Sequence, residues 1–561
     1  MDVLRNSHDI DRIGVYEFGG VGKTTIVKEV SRQATGDKEL FADVVMILDR
    51  LWDFLVWRLV KVLLTSRMRE VLSREMHTHK EFLLDLLGEE ETWNLFEKKA
   101  GDVIKNPEIK TVAIKVAKRC GDLPVLVVTV ASALKNRRTL HAWKDALRCL
   151  IRFDKEEFTE MTYLALEWSY SQLNDEEKPL FLLCGFYANS WKTIYIDYLL
   201  KYGIGLGLFK NFDTMGEAWD ALNSLLEKLK DSCLLLDHED SGCVKMHDLV
   251  HDVAKRILCK DQHVLKISGG DELKEWPDNK DFCEKCTMIS LRTSNIPKLP
   301  EVLQCKEPKM FYFNSEDYSL EIQCNFFKET TKLEVLDLTD LSIPSLPPSL
   351  QFLKSLKTLC LDWCTLGDIA LIGQLQNLEM LSFLTSKFKE LPKEIGQLTN
   401  LRSLDLTGCF QLELISPNVI SNLTRLEELK VGNSFNRWEA KGVNSTKKSN
   451  ASLSELKNLS KLSALEIHIL DANILPTGLF PKALKRYRIY ISAVWNWNNK
   501  DANLNTLKIK LTTSNELYQS GVNMLLKRTD ELHLNGMKAG SISKFEEIVH
   551  QWLDQVNDIM A

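Results

Sequence analysis

The residues with the clearest chemistry are Gly19 to Thr25, GGVGKTT, inside the stretch IGVYEFGGVGKTTIVKEV. Glycines at 19, 20 and 22 let a loop turn successive backbone N–H groups toward one point, and a helix starting just after adds partial positive charge there. A loop of this kind wraps a phosphate. The backbone of Gly19, Gly20, Val21 and Gly22 would form the cradle, with Lys23 reaching the β- and γ-phosphates of a nucleotide. The Thr24 hydroxyl would ligate Mg²⁺, with Thr25 beside it. The full pattern G-x-x-x-x-G-K-[ST] asks for one more glycine, and Glu17 stands in its place.

The elements that must position this loop are legible around it. IGVY is β-like and IVKEVSRQA is helical, which is the strand–loop–helix context that the chemistry requires. FADVVMILDRLWD follows, an apolar run ending in Asp49, placed like a strand whose terminal carboxylate supports Mg²⁺ through water. VKVLLTSR then supplies another strand, ending at Arg67.

Composition bounds the rest. At 561 residues the chain predicts two to four domains. Lys plus Arg is 72 against 78 Asp plus Glu, a net charge of −6, so no global basic footprint points to nucleic acid or an anionic membrane. No secretory signal is visible at the start, and the longest apolar run, Leu123 to Leu134, is short of the ~20 residues of a membrane helix. Thirteen cysteines without framework spacing suit reduced thiols and a cytoplasmic location. Cys283 and Cys286 could ligate zinc, but no second pair follows them.

From about Cys286 the sequence repeats. L-x-x-L-x-L occurs at Leu333/Leu336/Leu338, Leu356/Leu359/Leu361 and Leu401/Leu404/Leu406, with Leu378/Leu381/Phe383 and Leu426/Leu429/Val431 as variants; successive starts are 23, 22, 23 and 25 residues apart. Weaker copies run upstream to Cys286/Ile289/Leu291 and Pro308/Phe311/Phe313, and downstream to Leu532/Leu534. This period predicts a leucine-rich-repeat solenoid, whose units bury their leucines only by stacking. Its concave face predicts recognition of a protein partner. Asn436 to Ser452 interrupts the array as an expected mobile loop.

Residues 80–262 predict helices, among them EEETWNLFEKKAG, IKTVAIKVAKRCG and LHAWKDALRCLI, with Gly101 and Gly121 expected at C-caps. Ser268 to Phe282, polar with Gly and Pro, is the expected linker.

In this order the motifs resemble the plant NB-ARC leucine-rich-repeat disease-resistance proteins, of the type that usually begins with a coiled coil. GGVGKTT, ILD and LLTSR match its nucleotide-binding subdomain; CGDLP (Cys120 to Pro124) resembles its GLPL motif; Met246-His247-Asp248 stands at the end of its winged-helix subdomain. The resemblance implies a multidomain fold: a truncated α/β P-loop subdomain over 1–79, a helical subdomain over 80–152 and a winged-helix subdomain over 153–262. A linker over 263–284 and repeats over 285–555 complete it. It also implies a switch in which ADP holds a closed form and ATP opens it. Gly20, Gly22, Lys23, Thr24 and Thr25 would hold phosphates, with Thr24 and Asp49 on Mg²⁺. Arg67 would act as a sensor arginine, Pro124 would pack near the adenine, and His247 would sense the β-phosphate of ADP. A weak switch-type ATPase is then the most enzymatic role expected, and no metabolic chemistry.

Four departures weaken that expectation. A carboxylate at Glu17 ~4 Å from a phosphate charge would cost about 4 kcal/mol at an effective dielectric near 20. Arg50 replaces an acidic residue after Asp49, and Asp122 replaces a glycine of the GLPL motif. Only 26 positions separate Lys23 from Asp49, which predicts a smaller sheet with an open edge. Residues 1–12 are too few for a coiled coil. One consequence is a pairing of Glu17 with Arg50 across the phosphate site, if their strands are neighbours. The alternatives left open are a nucleotide-independent repeat module or decoy acting on intact relatives, a phosphotransferase without a visible acceptor site, and a mis-spliced or decayed copy.

Overall fold

The computed structural model describes residues 12–17, 20–36, 44–48, 61–66, 69–152, 158–188, 193–261, 264–267, 286–292, 299–315, 321–439, 449–480, 484–491, 505–510, 520–526 and 528–535. Two compact units are present. One comprises residues 1–196 and 223–257, the other residues 197–222 and 258–561.

The first unit opens with a parallel sheet of β1 (Arg12–Tyr16), β2 (Val44–Leu48), β3 (Lys61–Ser66) and β4 (Lys80–Leu83), in the order β2-β3-β1-β4. Ile13, Val15, Leu63 and Leu64 are buried. Helix α1 (Lys23–Gly36) follows the glycine-rich loop, its Ile26 N–H donating to the Gly22 carbonyl at 3.0 Å. The strand before Asp49 therefore lies at the sheet edge, and β3 sits between it and β1 with Tyr16 opposite Ser66. The expected Glu17–Arg50 pairing took the Asp49 strand to be the neighbour of β1. Two strand spacings, roughly 9–10 Å, separate β1 from β2 instead. Asp49, Arg50 and Arg67 themselves lie outside the described residues.

A helical array follows: α2 (Glu89–Ala100), α3 (Pro107–Lys118), α4 (Pro124–Leu134), α5 (Leu140–Arg152), α6 (Phe158–Ser171) and α7 (Glu177–Tyr187). Local sequence explains its boundaries. Glu91 accepts the Gly88 N–H at 2.8 Å and three glutamates occupy the first turn of α2, while Lys98 and Lys99 close its last turn. Gly101 ends it at φ +69°. Asn106 caps α3 and Pro107 takes the first helical position, where a missing N–H costs nothing. Gly121 is not the C-cap of α3, which is Arg119; its φ of +60° serves the turn beyond. Strands β5 (Thr193–Tyr195), β6 (Leu236–Asp237) and β7 (Cys243–Lys245) pair antiparallel in the order β5-β7-β6. Helices α8 (Ile196–Gly205), α9 (Met215–Asp231) and α10 (Asp248–Asp261) flank them in sequence.

The second unit is built on a 12-stranded sheet whose strands pair in parallel. It begins at β8 (Val264–Ile267), inside the segment expected as linker, and continues through β9 (Met288–Arg292), β10 (Met310–Asn314), β11 (Val335–Thr339) and β13 (Thr358–Cys360). Next come β15 (Met380–Ser382), β17 (Ser403–Asp405), β19 (Glu428–Lys430) and β20 (Ala464–Ile469). It ends with β21 (Arg486–Ile491), β22 (Thr506–Lys510) and β23 (Glu531–Asn535), the missing numbers being the short outer strands β12 (Ser342–Ser345), β14 (Thr365–Asp368), β16 (Glu390–Leu391) and β18 (Leu414–Ile415). Every repeat expected from the sequence supplies a strand. The leucines of the L-x-x-L-x-L units are buried together, and Phe311, Phe326 and Phe327 replace them edge-to-face near the start.

Each central repeat turns out of its strand through one left-handed residue: Asp340, Trp363, Thr385, Gly408 and Asn433, with φ between +50° and +71°. In four of these repeats the next residue bonds a carbonyl of the preceding repeat. Cys364 Sγ contacts Leu338 O at 2.8 Å, Ser386 Oγ donates to Leu361 O at 2.5 Å, and Cys409 and Ser434 repeat the contact at 3.0 and 3.3 Å. Short 3₁₀ turns such as Pro348–Phe352 and Lys393–Gln397 complete the return, with prolines at their starts. Cys286 is buried in this core, which accounts for it without zinc; Cys283 lies outside the described residues. The ends of the 436–452 insertion are anchored by buried Trp438 and Ala451 and a Glu439–Ser452 bridge. Its middle, 440–448, and the expected linker from Ser268 to Phe282 lie outside the described residues.

Candidate functional site

The glycine-rich loop has the backbone that a phosphate cradle needs. Gly20 and Gly22 sit at φ +86° and +94°, which L side chains rarely adopt, just ahead of α1. Space fixes Gly20 as well. A Cβ there would come within 2.4 Å of Val125 Cγ1 and 3.2 Å of Leu249 Cδ1. At Gly22 a Cβ would meet open space.

Those two neighbours bring the sequence motifs together. Val125 follows Pro124 at the start of α4, and its N–H donates to the Gly20 carbonyl at 3.3 Å. Leu249 belongs to the first turn of α10, directly after Met246-His247-Asp248; its N–H donates to His247 Nδ1 at 3.2 Å. The phosphate loop, the CGDLP segment and the His247 turn thus converge on one glycine. Pro124 and His247 are partly exposed, and Val21 is buried beneath the loop.

Lys23 is partly exposed, and its Nζ donates to the Glu17 backbone carbonyl at 2.6 Å. The ammonium is therefore held against the strand end that the missing glycine would occupy. Thr25 is exposed. Gly19, Asp49 and Arg67 lie outside the described residues, as does the side chain of Thr24. Cradle glycines, a following helix and a lysine at its first position fit a nucleotide phosphate; among the described residues no group of three metal-ligating side chains gathers.

Asp122 is explained by its backbone. It lies at φ +56°, a left-handed position where glycine is free of cost and Asp is among the better-tolerated alternatives. Thr92 Oγ1 donates to its carboxylate at 2.9 Å, and the Leu87 N–H donates to its carbonyl at 3.0 Å.

Sequence reasoning missed a second polar centre, on the face of the repeat sheet opposite its leucines. Residues 197–222 lie there, within the same unit as the repeats. Lys201, almost fully buried, donates from Nζ to Ser382 Oγ at 2.8 Å and stands 3.6 Å from Asp362 and 3.9 Å from Asp405. Tyr198 donates to Asp362 at 2.7 Å, Tyr202 donates to Asp337, and Thr358 Oγ1 donates to the Lys201 carbonyl at 2.8 Å. Farther along, Glu427 accepts the Met215 N–H at 2.7 Å and Arg402 covers Phe212. Burial opposes the Lys201 charge, but the Asp362 and Asp405 carboxylates outweigh it and hold the ammonium's pKa above its ordinary value. Burial, reinforced by Asp362, raises Asp337 to about 7 against the hydrogen bonds from Thr339 and Tyr202. The signal available in the sequence was an acidic residue between the last two leucines of two repeats, Asp337 and Asp405, with Asp362 just after the last leucine of a third.

Comparison with known proteins supports the repeats and the resemblance to plant disease-resistance proteins. The family profile of a leucine-rich repeat region matches residues 370–486. A disease resistance protein of Arabidopsis thaliana is 29% identical over 487 residues, 85% of this chain and 48% of the relative. Disease resistance protein RPS5 of the same plant is 26% identical, over 75% of this chain and 55% of its own length. Disease resistance protein SUMM2 is 29% identical, over 54% and 35%. The chain spans about half the length or less of two of these relatives and just over half of the third. Among the described residues no helix is long and apolar enough to cross a membrane.

Proposed function

As a member of the plant disease-resistance proteins that carry leucine-rich repeats, the chain is, we propose, an immune receptor-like protein of the cytoplasm. Its front half would hold ADP or ATP, and its repeats would sense a protein partner, whether a pathogen effector, a guarded protein or an intact relative. One observation carries the nucleotide reading: Gly20 is packed between Val125 and Leu249. A ligand on the loop would then touch the element that carries Pro124 and the turn that carries His247.

Each residue has a task in this reading. The N–H groups around Gly20, Val21 and Gly22 orient the phosphates, and Lys23 leaves the Glu17 carbonyl to neutralise them. Thr24 and Asp49 would hold Mg²⁺, with Arg67 and His247 reporting the phosphate state and Pro124 lying by the base. The nucleotide supplies a multivalent anion that ties the three segments together while bound. Glu17 lowers the affinity.

Hydrogen exchange of the purified chain with and without ADP and Mg²⁺ tests the reading. It expects slower exchange in residues 20–26, 123–127 and 247–251 together; slowing in the first alone would contradict it. A second reading rests on the Lys23–Glu17 contact of 2.6 Å, which engages the phosphate-binding ammonium within the loop. The front half would then be a folded cap, and the repeats a nucleotide-independent interaction module.

A further inference from the structure

We propose that the cavity framed by Lys98, Lys99, Lys135 and Lys230 is a binding site for a small, multiply phosphorylated anion, separate from the phosphate loop.

The cavity measures about 270 Å³, and every residue that lines it belongs to the first unit. That volume is close to the lower end of the ~300–1,000 Å³ usual for small-molecule sites. Lys98 and Lys99 come from the last turn of α2, Lys135 follows α4 directly, and Lys230 lies in the last turn of α9. Ser132 Oγ and Cys233 Sγ, 3.2 Å apart, join the α4 side to the turn after α9. The phosphate loop meets α4 at its other end, where the Val125 N–H donates to Gly20. The 11 residues of α4 put roughly 16 Å between the two places.

The gathered charge has few internal partners. Among the described residues the ammonium groups of Lys98, Lys99 and Lys135 have no ion pair and no hydrogen bond, while Lys230 pairs with exposed Asp237 at 2.6 Å. Asp231 supplies the one carboxylate of the lining. Lysines in a last turn ordinarily offset the carbonyl end of a helix dipole. Here the backbone already serves those carbonyls. Glu97 O accepts the Gly101 N–H, and Ser132 O accepts the Lys135 N–H at 3.2 Å. The carbonyls of Lys228, Leu229 and Lys230 accept the N–H groups of Ser232, Leu234 and Cys233 at 2.8–3.0 Å. Ammonium groups collected around one cavity repel one another, and an anion between them removes that repulsion.

The lining also narrows the ligand. Lysine presents a compact point charge, which suits phosphate oxygens without the planar fork that pairs with carboxylates. No aromatic or large aliphatic side chain lines the cavity, so a nucleotide base or a lipid chain would find no apolar wall. Single exposed ion pairs contribute little, so affinity needs several phosphate groups on one small body. Inorganic polyphosphate and a phosphorylated polyol share this chemistry.

The test uses the full chain carrying Lys23→Ala, which silences the phosphate loop. It is titrated calorimetrically with inorganic tripolyphosphate and with inositol hexakisphosphate at constant ionic strength. Two double variants are compared in that background: Lys99→Gln with Lys135→Gln at the cavity, and Lys354→Gln with Lys393→Gln, which removes equal charge from the repeats. Binding of at least one probe is expected, about tenfold weaker in the cavity variant and unchanged in the repeat variant. The tighter probe tells a linear phosphate chain from a polyol scaffold as the source. Iodoacetamide labelling of Cys233, located by mass spectrometry, is expected to slow when that probe is bound. Equal affinity in the two variants would mean unspecific charge attraction and overturn the site, as would no binding by a folded chain. If the Lys23→Ala chain does not fold, Cys233 labelling in the wild-type chain decides. Slowing that the cavity substitutions abolish supports the site; slowing that survives them, or none, overturns it.

Discussion

Lys201 Nζ stands 3.6 Å from Asp362 Oδ2 with both side chains buried, although 161 positions separate them in the chain. The contact ties residues 197–222 to the repeats, and its environment sets a pH response. Asp337, raised to about 7, binds its proton in the folded chain at pH values where an unfolded aspartate has lost it. Stability from this group is thus highest below about pH 4 and falls as pH rises through about 7. The difference in unfolding midpoint between wild type and Asp337→Asn should shrink and then reverse in favour of the variant between pH 5 and 8. A pH-independent difference would contradict this.

Tyr202→Phe removes the phenol that donates to Asp337 and leaves a buried acceptor short of one partner. The expected cost is about 1–3 kcal/mol, read as faster hydrogen exchange in residues 197–206. Unchanged exchange would mean that the phenol contributes nothing there.

Gly20→Ala and Gly22→Ala separate space from strain in the phosphate loop. Both place a side chain at positive φ, costing roughly 1–2 kcal/mol, but only the first also meets Val125 at 2.4 Å. Thermal unfolding should rank Gly20→Ala clearly below Gly22→Ala. Equal losses would contradict the packing at Gly20.

At Asp122 the left-handed backbone gives opposite expectations for two small residues. Asp122→Ala keeps the strain and loses the Thr92 hydrogen bond, for about 1–2 kcal/mol. Asp122→Gly loses the bond but relieves the strain, and should be close to neutral. Denaturant midpoints of the two variants decide.

The repeats were legible because their signal is a period. Leu404 and Leu429 are buried alike, and even the irregular Pro308/Phe311/Phe313 forms a strand, since stacking fixes the register of weak copies beside strong ones. Front-half helices were legible from their i, i+3, i+4 apolar spacing, and of the two C-caps expected Gly101 is one while Gly121 is not. Strand order was not. Nothing local in VVMIL or KVLLTS says which one lies beside β1, because pairing in a parallel sheet is decided by crossovers and not by residue type. The Lys201 seat escaped for a similar reason. A lysine within an apolar helical stretch becomes a buried counter-ion only through acids from repeats far along the chain. The strand, glycine-rich turn and helix around Gly20 were legible, but not the packing of that glycine against Val125 and Leu249.

The central claim, that this loop holds a nucleotide, is tested most directly by denaturing the purified chain and measuring what it releases, with Lys23→Ala as control. The account predicts ADP in near-stoichiometric amount from wild type and its loss from the variant. A monodisperse, folded wild-type sample that releases no nucleotide would contradict it and leave the repeats as the working part.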